Sequence, residues 1–251
     1  MKTLQKIVVP TLITLAIGGG YLYSVWKHRQ NPGVIRNADA GQTLSKDDLA
    51  VVRAFFPVHF EDTQRLEGTP VWMKNGYTMS YFPYVGGHAV FGKRVGVIPS
   101  AERLDVKKIV KAAVPAGVQD GIEHGDRQAF AVFSLKGGTG LFATPIGTMQ
   151  GNDEAYYSDL LFYYDDPHTI YSHWPADIWA AVDAHQVKQG MSELETRMAI
   201  GQKMHPDGDT EGNRTVTEGN RTVTYDQDGK HWTITYVKNR ATTILTPVEG
   251  K

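Results

Sequence analysis

Cysteine is absent from the 251 residues, which excludes disulfides, thiolate zinc sites, cysteine nucleophiles and a lipid-modified N-terminal cysteine. The absence leaves the compartment open. An excess of charge of one sign is missing too, because 26 Lys and Arg face 27 Asp and Glu, for a formal charge of −1 and a pI near 6.8. That balance hides a split. Residues 1–36 hold five bases (Lys2, Lys6, Lys27, Arg29, Arg36) and no acid, which leaves 21 bases against 27 acids in the remaining 215 residues. An acidic body argues against nucleic acid as a partner, since phosphate binding needs a concentrated basic surface. With 41% hydrophobic and 21% charged residues, the chain is neither disordered nor a multi-span membrane protein. No G-x-S-x-G elbow and no Walker sequence occurs, and Gly86-Gly87-His88 lacks the strand-to-helix setting of a phosphate loop. Serine catalysis therefore has no motif behind it.

Only one long apolar run is present. Residues 7–26 form 20 uncharged positions closed by Lys27-His28-Arg29, and at about 1.5 Å per helical residue they reach roughly 30 Å, the thickness of a bilayer core. Tyr21, Tyr23 and Trp26 stand where an aromatic belt would lie. Pro10 and Gly18-Gly19-Gly20 would loosen a spanning helix, and Ala16-Ile17-Gly18 offers a signal-peptidase site. Residues 1–30 thus read as a single transmembrane signal-anchor, with a cleaved signal peptide as the alternative. The first places the protein in a bacterial inner membrane with its main body periplasmic, and the second secretes it to the periplasm. Residues 31–45 are polar, rich in turn formers and without periodicity, so they read as a linker.

Residues 46–186 read as a β-rich extracytoplasmic domain of unknown type. It begins with a short amphipathic helix, capped by Ser45 with an acid at Asp48, carrying Leu49, Val52 and Phe56 and ending at Pro57. The apolar runs 71–73 and 77–84 flank Lys74-Asn75-Gly76, a hairpin signal that Gly86-Gly87 and the run 95–98 continue. Residues 100–113 are ambiguous. Val106, Ile109, Val110 and Ala113 fit one face of a helix capped by Ser100, which is preferred over a strand. A second hairpin pairs 128–135 with 140–148 around Gly137-Gly138, and 154–164 is expected to be a strand closed by Asp165-Asp166-Pro167. Residues 175–185 return to helical spacing with Pro175 at the start.

Residues 153–183 stand out, with seven acids, eight aromatics and no Lys or Arg. Rings stack and carboxylates accept hydrogen bonds, so the stretch could bind a sugar, a cation or a basic peptide. The ligand candidates are Tyr163, Asp165, Asp166, His168, His173 and Trp174, with Asp183 and His185 further on. Their spacing fits no helical metal motif, and Asp-Asp-Pro is also what a strand-to-turn exit needs. The bland reading, a half-buried strand and helix whose aromatics make core, is favoured. Glu123-His124-Gly125-Asp126 reads as a polar loop.

The last segment carries the most information. Ser192 and Glu195 form a capping box, Met191, Leu194 and Met198 share a face, and Gly201 is placed to end the helix. Three strands follow at 222–226, 232–238 and 241–247, and in the middle one Trp232, Ile234 and Tyr236 alternate with threonines. The helix must cover the apolar face of this meander. The sequence TEGNRTV, repeated without a gap over 210–223, reads as a local duplication that lengthens a loop, and each copy holds a sequon (Asn213, Asn220). This order, a Gly-Met-Ser-x-x-Glu helix closed by Gly and then strands carrying Asp-Gly-Lys-x-Trp, resembles the SmpA/OmlA (BamE-like) family of bacterial envelope proteins over about 187–247. The resemblance implies an α+β module, residues 187–251, used for protein or lipid contact, with Met191, Leu194, Met198, Trp232 and Tyr236 as interaction candidates. The family's best-known members are lipoproteins, and this chain has no cysteine to acylate.

The expected protein is α+β: an N-terminal anchor, a β-rich middle domain, and a C-terminal helix with a three-stranded antiparallel meander. It is read as a non-enzymatic envelope protein that contacts the membrane and other envelope proteins, with no cofactor, metal or catalytic residue assigned. The alternatives are a metal-dependent hydrolase and a carbohydrate- or cell-wall-binding protein, both built on residues 153–185.

Overall fold

The sequence RQAFAVFSL at 127–135 has no polar face, so a strand there must be covered on both sides. In a computed structural model it is. The structure describes residues 45–115, 118, 127–201, 215–217, 220–227 and 230–249, together with Gly18, Tyr21 and Tyr23. The chain divides into two units, Met1–Asp48 and Leu49–Lys251. In the first, Gly18, Tyr21 and Tyr23 are helical, and no described helix is long and apolar enough to cross a membrane. The other positions of 7–26, the linker up to residue 44 and the cluster at 123–126 lie outside the described residues.

In chain order the elements of the second unit are α1 (Phe60–Thr63), β1 (Pro70–Met73), β2 (Ser80–Val85), β3 (His88–Ala89), β4 (Gly96–Val97), β5 (Arg103–Ala113), β6 (Arg127–Leu135), β7 (Phe142–Gln150), β8 (Asp153–Tyr156), α2 (Ser158–Leu161), β9 (Phe162–Tyr163), α3 (Pro167–Ile170), α4 (Ala176–Asp183), α5 (Glu193–Ile200), β10 (Thr215–Thr217), β11 (Asn220–Gln227), β12 (Lys230–Val237) and β13 (Arg240–Glu249). The fold is α+β. A large antiparallel sheet runs β3-β2-β7-β6-β5-β1-β9, with β4 on β2 and β8 on β7, and a separate antiparallel sheet runs β10-β11-β12-β13.

Strand alternation assigns residues to cores. Along β6, Ala129, Ala131 and Phe133 enter one apolar cluster while Phe130 and Val132 enter another on the opposite face. Along β1, Val71 and Met73 join the first cluster but Trp72 joins a third, and β9 divides its two residues Phe162 and Tyr163 in the same way. That third cluster also contains Ile178, Trp179 and Val182 of α4, Met198, Ala199 and Ile200 of α5, and Val223, Tyr225, Ile234 and Tyr236 of the meander. The helix and meander of 187–251 therefore share a core with elements that precede them.

Several expectations hold. The β6–β7 hairpin turns at Gly137-Gly138 with Phe133 opposite Phe142, α4 follows Pro175, and α5 covers the meander. Four need correction. No helix follows Ser45. Within Met1–Asp48 the Ser45 and Asp48 side chains do exchange hydrogen bonds with each other's backbone N–H (3.2 and 3.0 Å), but the structure ends there as a turn, and in the second unit residues 50–58 are extended or irregular. The Asp159 carboxylate accepts the Phe55 and Phe56 N–H groups, donors that a helix would need for its own ladder.

The hairpin around Asn75-Gly76 does not form. β1 pairs with β5 and β9, whereas β2 pairs with β3, β4 and β7. Of residues 100–113, expected as a helix, Arg103–Ala113 are strand and Ser100-Ala101 a turn. A bulge between Val106 and Lys108 adds one residue, so Val106 and Ile109 both face the core at a spacing of three and imitate a helical face. The strand expected at 154–164 is broken by α2, where Tyr157 N donates to the Ile146 carbonyl (3.0 Å) and the chain turns. The three-stranded meander is present with β10 added. The end of the first TEGNRTV copy and the start of the second form β10, which pairs antiparallel with β11, Thr215 opposite Thr222.

Candidate functional site

The acidic, aromatic stretch folds into a ladder of rings. Tyr163, on β9, meets Tyr171 edge-on at 6.4 Å between ring centroids. Tyr171 stacks on Trp174 (4.7 Å), Trp174 leans on Trp179 (5.0 Å), and Trp179 stacks under His168 (4.0 Å, 24° between planes). The four phenol and indole rings are buried, and burial pushes the Tyr163 phenol well above its ordinary value. Tyr171, Trp174 and Trp179 lie ring against ring, the Lys74 ammonium lies over the Tyr163 ring, and the ladder ends at exposed His168.

Local sequence explains that terminus. Asp166 caps α3 by accepting the His168 backbone N–H (2.9 Å), and the same oxygen lies 2.8 Å from His168 Nδ1. Asp183, at the end of α4, lies 3.2 Å from His168 Nε2. Both ring nitrogens therefore face carboxylate oxygens, and neither is open to a metal or to a substrate proton without breaking a contact. Among the described residues no group of three or more His, Cys, Asp or Glu side chains is placed to hold a metal ion.

Of the ligand candidates, the structure brings Asp166 and His168 together and adds Asp183 and Trp179. Tyr163 and Trp174 sit inside the ladder. Asp165 points to Arg53 (3.2 Å), and His173 flanks Tyr171 and Trp174, each at 6.3 Å. His185 leaves the group altogether. Its Nδ1 lies 3.2 Å from the Ala199 carbonyl and its Nε2 lies 3.8 Å from Glu102, whose carboxylate raises the imidazole pKa against the opposing effect of burial.

In the C-terminal module the capping box is present in full. Ser192 N donates to Glu195 (2.6 Å), Glu195 N donates to Ser192 Oγ (3.1 Å), and Gly201 closes the helix at φ 73°. Met191, Met198 and Tyr236 are buried between helix and sheet, and Leu194 and Trp232 are half-buried. These five side chains hold the helix to the meander. Around them runs a polar layer in which the Tyr225 and Tyr236 hydroxyls share a hydrogen bond (2.8 Å), Glu193 pairs with Arg221, and Glu195 pairs with Arg240 (3.4 Å).

Two positions with clear structural work escaped sequence reasoning. Asp159 fastens residues about a hundred positions away, and Lys74, whose ammonium donates to the Asp159 carbonyl, is desolvated enough to lower its pKa. A lone acid between Ser158 and Leu160 carries no local signal of such a role. Comparison with protein-family models, with curated proteins and with solved structures finds no match to this chain.

Proposed function

We propose that this is a non-enzymatic protein of the bacterial envelope, anchored by residues 1–30 in the inner membrane with its body in the periplasm. Its C-terminal module then serves interaction with other envelope proteins, as an accessory to envelope or outer-membrane assembly. One observation carries the reading. The module is a short helix with both ends specified, Ser192–Glu195 at the start and Gly201 at the end, laid over an antiparallel meander bearing Trp232 and Tyr236. That is the order on which the resemblance to the SmpA/OmlA (BamE-like) family rests, set behind an export-type N-terminus. Asp166, His168, Trp179 and Asp183 support the same reading, because they are engaged with each other in ways that stabilise a scaffold.

Fractionation combined with crosslinking tests it. A photoreactive residue at Leu245, which is 60% exposed on β13, should capture envelope proteins in intact cells, with the chain in a carbonate-resistant membrane fraction. Recovery of the full chain in the cytosolic fraction, or a membrane-bound chain that captures no protein from Leu245, would overturn the proposal.

A further inference from the structure

Exposed apolar side chains cluster in one place. Leu49 (62% exposed), Val51 (86%), Val52, Phe56 (76%) and Val58 (64%) fall within ten consecutive residues that belong to no helix or strand. The segment is nonetheless fastened along its length. Ala50 packs on the core shared with the C-terminal module, and Phe55 packs on the sheet core, edge-on to Tyr164 (5.8 Å). Arg53 donates to the Tyr164 carbonyl (2.5 Å) and pairs with Asp165. The Asp159 carboxylate takes the Phe55 and Phe56 N–H groups at 2.6 Å each, and Asp62 takes those of Val58 and His59 (3.1 and 3.0 Å). Phe56 is held at φ 50°, a left-handed conformation unfavourable for a residue with a Cβ. A chain pinned at four places, with strain at the residue that exposes a phenyl ring, is organised to present that ring.

From this geometry we infer that residues 49–58 form a docking strip for a lipid bilayer surface, into which Val51, Phe56 and Val58 insert. The inference rests on the anchored reading of residues 1–30. Only 22 residues separate Trp26, the end of the apolar run, from Leu49, so no connection of that length can reach farther than about 75 Å. The strip is thus covalently tethered to the segment that is read as the anchor. Three partly inserted side chains would bind weakly from solution, but tethering makes the contact intramolecular and raises its effective concentration. Charge narrows the surface. Asp47, Asp48, Glu61 and Asp62 flank the strip against Lys46 and Arg53, so the head groups it meets are zwitterionic and not strongly anionic.

The absence of native cysteine makes the test direct. Full-length chains carrying Val51→Cys, Phe56→Cys or Val58→Cys, with Val85→Cys and Leu245→Cys as exposed controls, are labelled with a polarity-sensitive fluorophore and reconstituted into phosphatidylcholine vesicles. Labels at 51, 56 and 58 should shift to the blue, lose accessibility to aqueous iodide by roughly threefold or more, and be quenched by bromine on the lipid chains, as expected for burial at the acyl boundary. A chain that floats with the vesicles while these labels behave like the controls refutes the docking strip alone. Labels shielded from iodide but untouched by brominated chains would mean that protein, such as a second copy, covers the strip, and the lipid assignment falls. A chain that does not float at all refutes the anchored reading and the strip with it.

Discussion

Replacing Asp159 by Asn separates the fastening of residues 49–58 from the stability of the sheet beneath them. The carboxylate accepts two backbone N–H groups at 2.6 Å, one on half-buried Phe55 and one on exposed Phe56. Hydrogen bonds to a charged group contribute about 1.5–3 kcal/mol net each when buried. Water can replace the acceptor at Phe56, so the pair contributes nearer 2–3 kcal/mol in total than the full sum. An asparagine carbonyl oxygen still accepts one bond, but its NH₂ faces the other donor. The loss is local, because the strands and the apolar clusters under the segment do not depend on it. With about half of that contribution lost, roughly 1–1.5 kcal/mol, opening of the segment should become about 5- to 13-fold more frequent, at 1.36 kcal/mol per tenfold. Native-state hydrogen exchange resolved at Phe55 and Phe56 reads this directly, while amides of Phe130 and Val132 in β6 keep wild-type protection. Unchanged exchange at Phe55 and Phe56, or an equal loss of protection in β6, would refute the reasoning.

Two further perturbations address the C-terminal module. Met198 is fully buried between α5 and the meander, so Met198→Ala should cost about 2–5 kcal/mol. In a unit of this size that lowers the melting temperature by about 5–15 °C, and calorimetry should show one transition moving as a whole, since the cluster extends to Trp72 and Trp179. A separate low-temperature transition would mean that the module melts by itself. His185 links α4 to Glu102 and to the end of α5. Its pKa is raised, first by the Glu102 carboxylate, with the Ala199 carbonyl and Asp183 adding to it. The protonated ring is the stabilised form in the folded state. Its contribution is fully present below the unfolded value near 6.5 and is lost as pH rises through the higher folded value. His185→Gln should therefore flatten the decline in melting temperature on the alkaline side of about pH 6.5, and a parallel pH profile for variant and wild type would remove His185 as its source.

What sequence reasoning could see depends on how far a residue's partner lies along the chain. Ser192, Glu195 and Gly201 act on backbone groups within one helix, so their roles are readable from spacing, and the structure has them as expected. Gly137-Gly138 works equally locally. Asn75-Gly76 fails as a hairpin because the choice of strand partner is not local. β1 gains more by burying Val71 and Met73 in one core and Trp72 in another than by folding back on β2. The bulge after Val106 defeats period counting, since one inserted residue turns a spacing of two into three.

The acidic stretch shows the same limit. Its aromatic content is plain in composition, but whether ring faces stack on each other or stand open to a ligand is settled by where β9, α3 and α4 meet, and there His168 closes the stack. Asp159 is the extreme case. Nothing within four residues hints that its carboxylate holds Phe55 and Phe56, yet that contact turns an amphipathic pattern that would have made a helix into an extended segment with its phenyl ring outward. The same apolar periodicity that suggested a buried helical face leaves Leu49, Val52 and Phe56 facing solvent.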